Sequence, residues 1–116
     1  MHHVPYPTYL RTHRKRWGLS QRELASLLGQ SVSLISRFER LSREPTVHAL
    51  IGAEFAFGEP ARRLFPGLYS TVEAAVTLRA IDFAERIAGQ SSPIALVQRE
   101  LLEEIARRAA SDKPVI

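Results

Sequence analysis

No cysteine occurs in the 116 residues, which excludes disulfides, thiolate metal sites and cysteine nucleophiles and fits a reducing compartment. No apolar run approaches the roughly 20 residues that a membrane-spanning helix needs. No apolar stretch of signal-peptide length follows the basic N-terminal "MHHVPYPTYLRTHRKRW" either, so the expected location is the cytoplasm. Catalytic patterns are missing too: there is no phosphate-cradling glycine loop, no H-E-x-x-H and no G-x-S-x-G, and the four scattered histidines supply no triad order. His2 and His3 pair at a chain end without further ligand spacing, which does not make a metal site. No active site, metal or cofactor is expected, and no strand or internal repeat is visible.

What is present is 45% hydrophobic residues, enough to fill one compact core, with or without a small appendage. The net charge of +4 is unevenly shared: residues 1–66 hold ten Lys/Arg against five Asp/Glu, and residues 67–116 hold six against seven. A basic lobe beside a near-neutral one suits a polyanionic partner for the lobe.

Start and stop signals divide the chain into helices. Tyr9 to Trp17 contains no breaker, and Tyr6, Leu10 and Trp17 share a face, giving a first helix that stops at Gly18. Ser20 with Glu23 forms a capping box and Leu19 with Leu24 the matching hydrophobic staple, so a second helix starts there and buries Leu24, Ala25 and Leu28. Gly29 ends it in a tight turn. Ser31 caps a third helix running to Arg40, and Pro45 closes the segment because the residue before proline is pushed out of the helical region. Thr46 opens a fourth helix with Val47, Leu50, Ala53 and Phe57 inward, stopped by Gly58. Residues 60–65 form a short helical turn, and "FPG" reads as the end of the unit.

Beyond it, Ser70 or Thr71 caps a long helix to Ala88, and Ser92-Pro93 starts a last helix to Ala110. One apolar stripe is Val72, Val76, Ala80, Phe83 and Ile87. The other is Ile94, Val97, Leu101, Ile105 and Ala109. Glu100, Glu103 and Glu104 lie among Arg99, Arg107 and Arg108 and read as salt-bridged surface.

In the third helix, with about 100° per residue and Ile35 inward, Phe38 and Glu39 fall within about 60° of the core direction. Ser33, Arg37 and Arg40 fall at about 140–200°, making a polar, positive outer face. A basic rod of about three turns, held by a second helix crossing behind it, fits the DNA major groove.

"LRTHRKRWGLSQRELASLLGQSVSLISRFER" and "EPTVHALIGAEFAFG", within Leu10 to Gly58, resemble the lambda repressor and Cro-type helix-turn-helix family of bacterial regulators. The resemblance implies an all-α, five-helix DNA-binding domain over residues 6–66; the two apolar stripes beyond it are read as a helical hairpin over 67–111 for dimerisation or partner binding. It implies base reading by Val32, Ser33, Ser36 and Arg37, phosphate contacts from Gln21, Arg40 and Arg43, and a structural ion pair between Arg14 and Glu39. A guanidinium at Arg37 can donate twice to guanine, and a helix N-terminus at Gln21 suits an anion.

The expected partner is double-stranded DNA, with a homodimer on a palindromic operator. An antitoxin-like autoregulator whose C-terminal helices bind another protein is the alternative, as is a helical adaptor using Leu34 and Leu41 without DNA. Leu41 stands where the family pattern usually has glycine, Leu34 is apolar on an exposed flank, and Glu54 sits in the inner stripe of helix four.

Overall fold

The computed structural model describes residues 8–111, so Tyr6, His2 and His3 lie outside the described residues. Among the described residues there are seven helices and no strand: α1 (Leu10–Arg16), α2 (Gln21–Leu28), α3 (Val32–Arg40), α4 (Val47–Phe57), α5 (Ala61–Leu64), α6 (Pro66–Arg86) and α7 (Pro93–Ser111). The expected all-α class is what is found. The chain divides into two compact units between Ser70 and Thr71, inside α6.

Local chemistry sets the helix ends of the first unit. At α2 the Glu23 N–H donates to Ser20 Oγ at 3.0 Å while the Ser20 N–H donates to Glu23 Oε1 at 2.8 Å. These two bonds satisfy donors that the first helical turn leaves orphaned. Ser31 and Thr46 accept from the Leu34 and Ala49 N–H groups, each at 3.1 Å, and so start α3 and α4. Gly29 ends α2 at φ 65°, a left-handed conformation that glycine adopts without a Cβ clash.

Leu41 ends α3 with φ 49°. A left-handed conformation costs a side-chain-bearing residue about 1–2 kcal/mol. Two features offset this: the Leu41 side chain packs on the core, and the Ser42 N–H donates to Arg37 O at 3.1 Å, closing the helix as a Schellman turn does. The missing glycine therefore leaves the cap geometry intact.

Leu10, Leu24, Ile35, Phe38 and Leu64 are the largest fully buried side chains of the core. Each contributes roughly 1.5–3 kcal/mol by leaving water. Ala49 and Ala53 are the buried residues of α4, and a Cβ on Gly52 would stand 3.1 Å from Leu28 Cδ2, so small side chains let α4 lie close to α2. The start of α1 is tied down twice: the Tyr9 N–H donates to Leu64 O and Thr8 Oγ1 donates to Glu39 O, both at 2.8 Å.

Two expectations for the helix faces of this unit need correction, and one open position is explained. Trp17 is 65% exposed, because α1 ends at Arg16 and Trp17 has left helical geometry before Gly18 turns the chain. His13 and Arg14 are buried on α1 instead. Val47 is 73% exposed, since the face of α4 turned inward is centred on Ala49 and Ala53. Glu54, unexplained by pattern, accepts the Ala61 N–H with Oε2 and so caps α5, whose N-cap Pro60 makes no side-chain cap bond.

The proline of "FPG" starts a helix. Pro66 is the first residue of α6, where its fixed φ suits a helix and its missing N–H costs nothing. The Tyr69 N–H donates to Phe65 O at 2.9 Å in that first turn.

In the second unit, Gly89 at φ 85° turns the chain after α6, and Ser92 Oγ accepts the Ala95 N–H at 3.1 Å to start α7. Arg99 Nη2 reaches back to Gln90 O at 2.8 Å and Ile87 O at 3.3 Å, tying α7 to the turn that follows α6. Burial increases along α6 toward this turn: Val72 and Val76 are exposed, Phe83 is half-buried, and Ile87, one residue past the helix end, is buried. On α7 the buried residues are Ala95 and Leu102, whereas Ile94, Val97 and Leu101 of the expected stripe are exposed. The apolar arc of α7 is wider than one stripe, so periodicity alone did not fix which edge turns inward. Glu104 pairs with Arg107 on the surface, and that guanidinium holds its carboxyl below the usual range. Among the described residues no helix is long and apolar enough to cross a membrane.

Candidate nucleic-acid interface

The third helix is amphipathic in the sense that its wheel requires. Ile35, Phe38 and Glu39 are buried, while Ser33, Arg37 and Arg40 are exposed. Burying a carboxylate is unfavourable unless it is paired and hydrogen-bonded, and here it is. Arg14 Nε donates to Glu39 Oε2 at 2.7 Å and Arg14 Nη2 to Glu39 Oε1 at 3.3 Å. This two-pronged contact has the geometry at which arginine excels. Arg14 Nη1 also donates to Leu19 O at 2.9 Å. One arginine of α1 thus joins the buried edge of α3 to the residue that precedes the α2 cap.

Glu39 has a third donor. Gln21 Nε2 donates to Glu39 Oε1 at 3.0 Å, so the first side chain of α2 is tied to α3. This bond was not visible in the sequence, where 18 positions and a helix-helix turn separate the two residues. Gln21 keeps a second amide N–H and its carbonyl oxygen for other contacts. At the same end of α2, the backbone N–H of Ser20, then the Ser20 hydroxyl, hold the Glu23 carboxyl below its usual range.

The remaining sequence-derived residues divide by position. Arg37 is exposed, and its guanidinium forms no hydrogen bond or ion pair with the described residues. Arg40 Nη1 donates to Ser36 Oγ at 2.9 Å, which keeps the two side chains together on the outer face. Val32, at the start of α3, is half-buried and packs in part on the core. Arg43 is exposed in the segment that joins α3 to α4. Leu34 packs against the core too, so it is not a free apolar contact on the flank, and neither is Leu41.

Four basic or hydroxylic side chains, Ser33, Ser36, Arg37 and Arg40, therefore share one side of a helix whose other side is locked into the core. Hydroxyls and guanidinium groups are what base edges and phosphate oxygens accept from. Among the described residues no group of three His, Cys, Asp or Glu side chains could hold a metal ion. The helix-turn-helix family model matches residues 10–62. No curated protein and no solved structure shows a significant match to the chain. The family is one of DNA-binding regulators and not usually of enzymes. Over residues 10–62, a little under half of its length, the chain is similar to the lambda repressor and Cro-type helix-turn-helix family, and that similarity supports a DNA-binding transcription regulator.

Proposed function

We propose that this regulator is a repressor that reads a palindromic operator as a homodimer, each copy placing α3 in the major groove. The carrying observation is the guanidinium of Arg37, without a partner among the described residues, on the outer face of a helix braced from behind by the Arg14–Glu39 pair. Arg37 would donate to guanine O6 and N7, with Ser33 and Ser36 beside it and Val32 against a thymine methyl. Gln21, Arg40 and Arg43 would meet phosphates and set the register without reading sequence.

One recognition helix spans too few base pairs to single out a site in a genome, so a two-fold arrangement with half-sites about one turn, ~34 Å, apart is required. The C-terminal helices supply the surface for it: Val72 and Val76 on α6 and Ile94, Val97 and Leu101 on α7 are exposed, and apolar area of that kind marks an association site. The same residues suit a second reading, in which a different protein covers the hairpin and DNA binding autoregulates the pair.

Selection of bound sequences from a random duplex pool tests the proposal. An inverted repeat with half-sites one turn apart is the expected result. A single unrepeated half-site contradicts the dimer, and no enrichment at all contradicts sequence-specific reading.

A further inference from the structure

A concavity of about 600 Å³ opens in the first unit between α1 and residues 59–66. Its α1 wall includes Thr12 and Arg16. At about 100° per residue both stand about 160° from Arg14 on the helix wheel, so this wall faces away from the side that α1 gives to Glu39 of α3. The site is therefore separate from the proposed DNA-reading face and does not depend on it.

The chemistry of the lining is one-sided. Arg16 and Arg62 are exposed and make no ion pair or hydrogen bond with the described residues. The carboxylate nearby, Glu59, is already taken by Arg63 at 3.5 Å. His13 is only 9% exposed and leans on the Phe57 ring, with centroids 5.7 Å apart and planes at 32°, so an imidazole forms part of the wall. Tyr9 adds a second ring, 45% exposed. Two uncommitted guanidinium groups beside an exposed phenol ring and a largely buried imidazole match a negatively charged headgroup on a compact apolar body.

The geometry points to this concavity as a binding site for a small organic anion, a carboxylate or a phosphate monoester bearing an aromatic or similarly compact group. Arg16 and Arg62 take the anionic head, and the Tyr9 and His13 rings contact the body. Neither arginine supports the core, so their removal leaves the fold in place.

The test is a titration of the full chain with benzoate, phenyl phosphate and inorganic phosphate, followed by the NMR shifts of Tyr9, Thr12 and His13, with benzyl alcohol as the neutral control. Saturable shifts at these residues are expected with at least one aromatic anion, tighter than with inorganic phosphate. Comparison of benzoate with phenyl phosphate separates a carboxylate site from a phosphate site. Arg16→Ala and Arg62→Ala should each weaken binding by about tenfold, the loss of a charge-assisted hydrogen bond, with an unchanged helical circular-dichroism spectrum. The inference is overturned if no anion saturates, if benzyl alcohol binds equally, or if both variants bind like the parent. It is also overturned, in favour of a DNA-backbone contact, if the two substitutions weaken random-duplex binding as much as Arg43→Ala does.

Discussion

Glu39→Ala removes the acceptor of three hydrogen bonds at once, two from Arg14 and one from Gln21. The Arg14 side chain is 9% exposed and that of Glu39 3%, so the pair behaves as a buried one. Removing one partner of a buried pair costs about 3–5 kcal/mol, because the other charge is left without compensation. Arg14 keeps its bond to Leu19 O, which places the expected loss at the lower end, about 3 kcal/mol.

In a domain of this size each kcal/mol lowers Tm by about 4–8 °C, so a fall of about 12 °C or more is expected. Urea unfolding followed by circular dichroism measures the loss directly. Trp17 fluorescence would be a poor probe, since that side chain is already exposed when folded. Replacing both partners together, Arg14→Met with Glu39→Leu, should recover most of the stability, as apolar substitutes of similar volume do elsewhere. A loss under about 1 kcal/mol for Glu39→Ala, the range of exposed ion pairs, would refute the claim that this pair holds α1 and α3 together.

Three further outcomes follow from the same geometry. Arg43→Ala should weaken binding to all duplex sequences alike and reduce the slope of log K against log salt by about one unit, measured by fluorescence anisotropy across a salt series. Gly29→Ala should cost about 1–2 kcal/mol in urea unfolding: a Cβ there meets nothing within 4 Å, so the whole loss comes from the left-handed backbone. The folded Glu23 carboxyl is held below its usual 4.5, so its charge stabilises the fold above that pH and the contribution disappears as pH falls through the lower folded value. Glu23→Gln keeps the cap acceptor but removes the charge, and should flatten the acid limb of stability below about 4.5, measured by circular dichroism.

The sequence disclosed the elements whose ends are written in local chemistry. Ser20 with Glu23, Gly29, Ser31, Thr46 and Gly58 each act within four residues of themselves, so a one-dimensional reading captures them. The outer face of α3 was equally legible, because the periodicity of a nine-residue helix with one strongly apolar side leaves little choice. What stayed hidden depends on partners distant in the chain. Gln21 turns to Glu39 and Glu54 to Ala61 because the fold brings them together, and no spacing announces it. Val47 and the Ile94, Val97 and Leu101 stripe were misplaced for a related reason: α4 and α7 are apolar over a broad arc, so small residues such as Ala49, Ala53 and Ala95 decide which side packs. Pro66 reads as a stop in the sequence, yet proline serves equally well as a first helical residue.

The most direct test of the account is base-resolved selection with the parent and Arg37→Ala side by side, at equal salt. The expected result is a loss of about 1–3 kcal/mol in specific affinity with relaxation of one base position per half-site, while random-duplex affinity changes far less. An unchanged preference at every position, or an equal loss on specific and random DNA, would show that this guanidinium does not read a base.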